Sequence, residues 1–281
     1  MTKLSTRPSG EAAVGDLLVL ESERSRVEVA PQRGGLITSF QVDGRELLYL
    51  EQASLVDASK NVRGGVPVLF PSPGKLRDDA FSHEGKRGAM KQHGFARNQP
   101  WQVQGSTLTL RSNEQTRAQF PWDFRYQLQI TLTDALLRLG IEVENTGRVP
   151  LPFGLGFHPY FLLQDKAAAR IDTRASTIFD NVTKEVRPFT GFDFTRKEQD
   201  LYLLDHGGTD SALHYGDGTT LAVRASREFT RWVVWSLADK DYVCIEPWTS
   251  PPDALNSGEG LLKLAPGATH HGWVELELRR A

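Results

Sequence analysis

Residues 126–143 read YQLQITLTDALLRLGIEV. Tyr126, Leu128, Ile130 and Leu132 alternate with Gln127, Gln129 and Thr131, a period of two that gives a strand one dry and one wet face. The alternation resumes after Asp134-Ala135, with Leu137, Leu139, Ile141 and Val143 set against Arg138, Gly140 and Glu142. Two such runs with a short polar joint form a hairpin. Asn145-Thr146-Gly147 then ends the second strand.

Outward from this hairpin, the same reading predicts short strands at 17–20, 26–30, 36–41, 45–49, 107–111, 220–224, 231–236, 242–247 and 273–279, with an Asp43-Gly44 turn between the third and fourth. No segment carries a long amphipathic helical period. Many short strands punctuated by 25 glycines and 15 prolines point to an all-β fold, a large antiparallel β-sandwich or barrel. One unit spanning 1–281 is expected, with 1–15 as a loose N-terminal segment. Two stretches, 60–100 and 176–212, lack the strand rhythm and are expected as long functional loops. Within the first, 75–91 reads as a solvated flap.

The composition excludes several classes. Lys and Arg number 33 against 35 Asp and Glu, a formal charge of −2, so nothing favours nucleic acid or an anionic membrane. Cys244 is the single cysteine, which rules out a disulfide framework and a cysteine-rich zinc site and fits a cytoplasmic setting. The N-terminal MTKLSTRPSGEAAVGDLLVL lacks a continuous apolar core, so neither a secretory leader nor a membrane span is expected. The expected ligand is small, and the oligomeric state is left open.

Four places carry residues suited to chemistry. In 154-GLGFHPYF-161, His158 stands in an apolar, aromatic run, and Pro159 removes an N–H and fixes φ, so the strand should stop or bulge there. His158 is either a poised titratable ring or a core histidine satisfied by a carbonyl. In 242-YVCIEPWT-249, Glu246 ends an apolar strand beside Trp248. A buried glutamate is either ion-paired with an arginine or kept as a base whose pKa burial raises. In 92-QHGFAR-97, His93 and Arg97 bracket Gly94-Phe95, and Arg63 heads 63-RGGVPVLFPSPG-74. His93 and Arg97 can both reach a polyhydroxylated or anionic ligand, whereas Arg63 by itself reads equally well as a solvated arginine on a Pro-rich connection. Asp200, in QDLYLL, reads by itself as a strand-entry residue. His270-His271 lack a third ligand at metal spacing and read as strand entry, and no nucleotide-binding or nucleophile-elbow motif occurs.

In this order, RGGVPVLFP, QHGFAR, GLGFHPYF, QDLYLL and IEPWTSPPDALNSGEGLLKLAPG resemble the aldose 1-epimerase, or galactose mutarotase, family over about residues 20–280. The resemblance implies a β-sandwich whose concave face holds a sugar, with no metal or nucleotide cofactor required. It implies His158 as general acid and Glu246 as general base, with His93 and Asp200 binding and polarising the sugar. Asp193 and Asp205 compete for the place of Asp200. Arg63 and Arg97 match the branch that includes glucose-6-phosphate 1-epimerases. The expected activity is therefore interconversion of the α and β anomers of an aldohexose. The alternatives are a hexose-6-phosphate 1-epimerase in which the two arginines bind the phosphate, and a non-catalytic carbohydrate-binding protein. A glycosidase on a similar sandwich would need paired carboxylates flanking the glycosidic bond, and the sequence singles out only Glu246 for such a role.

Overall fold

The computed structural model describes residues 2–280; the first and last residues of the expected 1–281 unit lie outside them. The founding hairpin forms as read. Strands Phe124–Thr133 and Leu136–Asn145 pair antiparallel with Leu128 opposite Ile141 and Leu132 opposite Leu137, and Asp134 turns the chain at a φ of 39°. This hairpin lies within an eight-stranded antiparallel sheet, flanked by Thr107–Arg111 on one side and by Thr269–Arg280 and Thr219–Ala225 on the other. A second eight-stranded sheet runs in the order Glu185–Pro188, Thr177–Asp180, Glu198–Leu203, Arg231–Leu237, Tyr242–Trp248, Gly156–Phe157, Val68–Leu69, and its eighth strand, Tyr160–Leu162, also pairs with Tyr242–Trp248. A five-stranded sheet is built from residues 3–46, and its Asp43-Gly44 turn has both φ angles positive, as a tight hairpin requires. Within the 1–15 segment, Lys3–Pro8 pairs with Asp16–Glu21 along an exposed edge.

The three sheets share one apolar interior. Leu128, Leu139 and Ile141 of the first sheet, Phe157, Val243 and Ile245 of the second, and Val29 and Phe40 of the third belong to a single cluster of buried side chains. Alternation then fixes what each strand shows on its other side. Val243 and Ile245 point into this interior, so Tyr242, Cys244, Glu246 and Trp248 share the opposite face of the second sheet. The candidate residues collect on that face.

Neither irregular stretch is a plain loop. Residues 176–212 contain Thr177–Asp180, Glu185–Pro188 and Glu198–Leu203, the outer strands of the second sheet. Their alternation is masked because Asp180, which is 1% exposed, takes an inward position and is held by ion pairs to Arg187 at 3.0 Å and Arg196 at 2.8 Å. The 75–91 segment forms a small hairpin, Ala80–His83 with Lys86–Ala89, where Phe81 is buried. Among the described residues no helix is long and apolar enough to cross a membrane.

Candidate active site

Strand register brings the central pair together. Gly156 pairs with Trp248 and Tyr160 with Cys244, so the intervening His158 falls opposite Glu246. At His158-Pro159 the strand is interrupted between Gly156–Phe157 and Tyr160–Leu162. The imidazole Nε2 lies 3.3 Å from Glu246 Oε1. Tyr160 stacks on the imidazole with centroids 4.7 Å apart and 11° between planes, which sets the ring's orientation. Trp248 Nε1–H donates to Glu246 Oε2 at 3.2 Å, so the second carboxylate oxygen is also held.

The register also defines two parallel rows across the sheet. One runs Tyr202, Val233, Glu246, His158, and its neighbour runs Asp200, Trp235, Cys244, Tyr160. Paired residues face the same side of a sheet, so Asp200 shares the face of Glu246, two strands across and one row along, about 12 Å between backbones. Asn181 Nδ2–H donates to Asp200 Oδ2 at 2.6 Å. The competing aspartates are engaged elsewhere: Asp193 accepts from Thr195, and Asp205 from Ser176 and Thr177.

His93 comes from a turn that the backbone makes tight. It has a φ of 74°, Gly94 follows at 71°, and a Cβ on Gly94 would run into the Phe70 carbonyl. The His93 ring lies edge-on to His158, with centroids 5.4 Å apart, and near Trp248 at 5.9 Å. Its Nδ1–H donates to the Pro73 carbonyl, which can only accept, so Nε2 is the nitrogen left for a ligand.

Glu246 is 2% exposed and His158 7%. Burial lifts the Glu246 carboxyl well above the ordinary range, reinforced by Asp200, while Trp248 and Arg97 oppose it. Burial also drops His158 well below the usual imidazole range, helped by His93, Arg97 and Arg63. Both shifts favour the neutral forms, a state with one proton between the two groups along the Nε2···Oε1 contact. His93 is pushed down to about 3 by burial and by Arg97, so it stays neutral. Burial raises Asp200, against the Asn181 hydrogen bond.

Two cations stand at the rim without counter-charges. The Arg63 guanidinium lies 5.7 Å from the Trp235 ring centroid. Arg97 donates through Nη2 to the Gln92 carbonyl at 3.0 Å, and its buried Nε–H has no partner. Among the described residues neither forms an ion pair, whereas Lys91 is tied to Asp79 at 2.8 Å. The alternative arginine partner for Glu246 is not found among the described residues; His158 and Trp248 take that place.

All six candidate residues therefore meet on one face. Sequence reading missed Asn181, for which no local signal exists, and Cys244. The latter was legible by alternation, two residues before Glu246. A groove of about 810 Å³ lies on the first sheet, but its Trp273 is capped by the Arg138 guanidinium at 4.6 Å. There His270 pairs with Glu228 at 3.1 Å, a largely buried contact beside the strand entry.

The sequence model of a family described as aldose 1-epimerase matches residues 16–277. A protein of Cenchrus ciliaris, provisionally named glucose-6-phosphate 1-epimerase, is 29% identical over 157 residues, which are 50% of this chain and 44% of that protein. The chain thus spans about half the length of the curated relatives it first matches. A crystal structure from Synechocystis sp. PCC 6803 superposes with a TM-score of 0.92 at 33% identity, covering 100% of both chains. The galactose mutarotase related enzyme from Lactobacillus acidophilus shares the fold, with a TM-score of 0.76 at 22% identity over 94% of this chain and 97% of that one.

Proposed function

Because the chain belongs to the aldose 1-epimerase family, we propose that it interconverts the α and β anomers of an aldohexose by acid–base ring opening and closure. The observation that carries this reading is the buried His158–Glu246 pair, 3.3 Å apart, with no lysine or arginine among the described residues in ion-pair contact with Glu246. Anomer exchange needs one proton removed from the C1 hydroxyl and one delivered to the ring oxygen. Both oxygens are bonded to C1, so acid and base must converge on one small region. A cross-strand pair does this without any loop movement.

In the productive form the shared proton rests on His158 and Glu246 is the carboxylate. Glu246 takes the C1 hydroxyl proton as the C1–O1 bond becomes a carbonyl. The C1–O5 bond breaks, its electrons go to O5, and His158 supplies the proton there. After rotation about C1–C2 the steps reverse on the other face of the carbonyl, and each residue regains its starting state. No cofactor enters this balance. His93, neutral and with Nε2 as a bare acceptor, receives a hydrogen bond from a sugar hydroxyl. Asp200, set by Asn181, accepts from another. Trp235, Tyr202 and Trp248 give the apolar faces of a sugar ring something to pack on. A purely carbohydrate-binding protein would use such aromatics without a one-proton pair between them.

A second observation favours a phosphorylated hexose within the same activity. Arg63 and Arg97 are partly buried, carry no carboxylate partner, and flank the pair, which leaves two guanidiniums to receive an anion. The name of the Cenchrus ciliaris relative agrees with this reading. Exchange NMR on galactose, glucose and their 6-phosphates tests both levels. Exchange no faster than the spontaneous rate on all four would remove the enzymatic reading. A kcat/KM preference for the 6-phosphates that collapses by at least about tenfold in Arg63→Ala and Arg97→Ala is the expected result for a phosphate clamp. Equal rates with and without phosphate would leave the arginines to the sugar hydroxyls.

A further inference from the structure

The face that carries the acid–base pair also carries the chain's single cysteine. Cys244 precedes Glu246 by two residues on strand Tyr242–Trp248 and is completely buried. Its Sγ, a His158 ring nitrogen and a Glu246 carboxylate oxygen all lie within 4.8 Å of one another. We propose that His158, Cys244 and Glu246 form a binding site for a thiophilic divalent cation of the zinc type, and that its occupation inhibits the enzyme. The inhibitory half rests on the acid–base reading given above; the binding half stands on geometry alone.

The donor set selects the metal. One thiolate, one imidazole and one carboxylate suit zinc and cadmium and are poor for magnesium or calcium, which take oxygen ligands. A tetrahedral zinc with bonds of about 2.0–2.3 Å keeps its ligand atoms roughly 3.3–3.6 Å apart. His158 Nε2 and Glu246 Oε1 already stand at 3.3 Å, so only the Cys244 contacts need to contract. The ligands are also held from outside. Trp248 Nε1–H occupies Oε2 of Glu246 and leaves Oε1 free, and Tyr160 clamps the imidazole ring. Such outer contacts are what orient a metal's ligands.

Coordination replaces the Cys244 S–H bond by an S–metal bond and also displaces the proton held between His158 Nε2 and Glu246 Oε1, so two protons leave to bulk water for each cation bound. The same event occupies the nitrogen lone pair and the carboxylate oxygen that exchange protons with the sugar, so a metal-loaded site has neither acid nor base. Arg63 and Arg97 oppose a cation here, while Asp200 on the neighbouring strand row favours it. Sugar phosphate and metal should therefore compete.

The test is titration of the full chain with Cd²⁺, reading the ultraviolet thiolate-to-cadmium absorption, with Zn²⁺ as competitor. The expected result is one Cd²⁺ per chain, displaced by Zn²⁺, with the band absent from Cys244→Ala and Cys244→Ser. His158→Asn and Glu246→Gln keep the thiol and should bind Cd²⁺ at least about tenfold more weakly. In parallel, Zn²⁺ should suppress anomer exchange reversibly by chelator, and Cys244→Ser should be at least about tenfold less sensitive. No band in the wild type, or an unchanged affinity in His158→Asn and Glu246→Gln, overturns the site. A wild type that shows the band but no anomer exchange would sink the catalytic reading and leave the metal site standing.

Discussion

Replacing Glu246 by glutamine separates a working carboxylate from a structural one, because the two roles predict opposite changes in stability. The amide keeps the size of the side chain and can still accept from Trp248 Nε1–H, but it cannot take a proton from the C1 hydroxyl. Loss of a positioned general base costs about 10²–10⁴ in kcat, or roughly 2.7–5.5 kcal/mol of barrier. The stability effect follows from burial. The folded-state pKa of Glu246 is raised, so its favourable contribution is complete below the unfolded carboxyl value and is lost as pH rises through the folded one. At neutral pH and above, Glu246→Gln is free of that loss and should melt at the same temperature as the parent or higher, with the gap widening as pH increases. A structural buried ion pair behaves otherwise: removing one partner costs about 3–5 kcal/mol of stability. Exchange NMR for rate and calorimetric melts at several pH values for stability supply the two readouts. A variant within tenfold of the parental rate, or one whose melting temperature falls steeply, would refute the assignment.

Two further outcomes follow from the same geometry. Since burial lowers His158 and raises Glu246, the one-proton state should persist on both sides of the window between the ordinary carboxyl and imidazole values, about 4.3 to 6.5; a kcat profile with sharp limbs at those two values would contradict the neutral-pair description. A Cβ on Gly156 would lie 2.8 Å from Trp248 Cδ1 and 2.8 Å from Pro73 Cβ, so Gly156→Ala should cost about 1–3 kcal/mol by denaturant unfolding. By displacing Trp248 it should also lower kcat, and unchanged values of both would show that the tight approach is not needed.

The legibility of the sequence varied with the chemistry of each strand's outer face. Leu128, Ile130, Leu139 and Ile141 alternate with polar residues that meet water, so their hairpin could be read directly. Thr177–Asp180 and Glu198–Leu203 could not, because Asp180 buries a charge inside while Phe179, Asp200 and Tyr202 turn outward toward the site. His158 and Glu246 stood out as ionisable groups in apolar runs. Their contact depends on which strand neighbours which, and that is decided by pairing between segments almost ninety residues apart. Asn181 is visible only once Thr177–Asp180 is seen to lie beside Glu198–Leu203.

The interrupted strand at His158-Pro159 has a consequence for quality control of the folded chain. A slip of one residue against Tyr242–Trp248 would turn Phe157 outward, drive the imidazole into the apolar interior, and leave Glu246 facing a proline. Turnover is then a readout of correct strand alignment: a preparation's specific activity counts the molecules whose sheet closed in frame, a quantity that spectroscopic strand content alone would not distinguish.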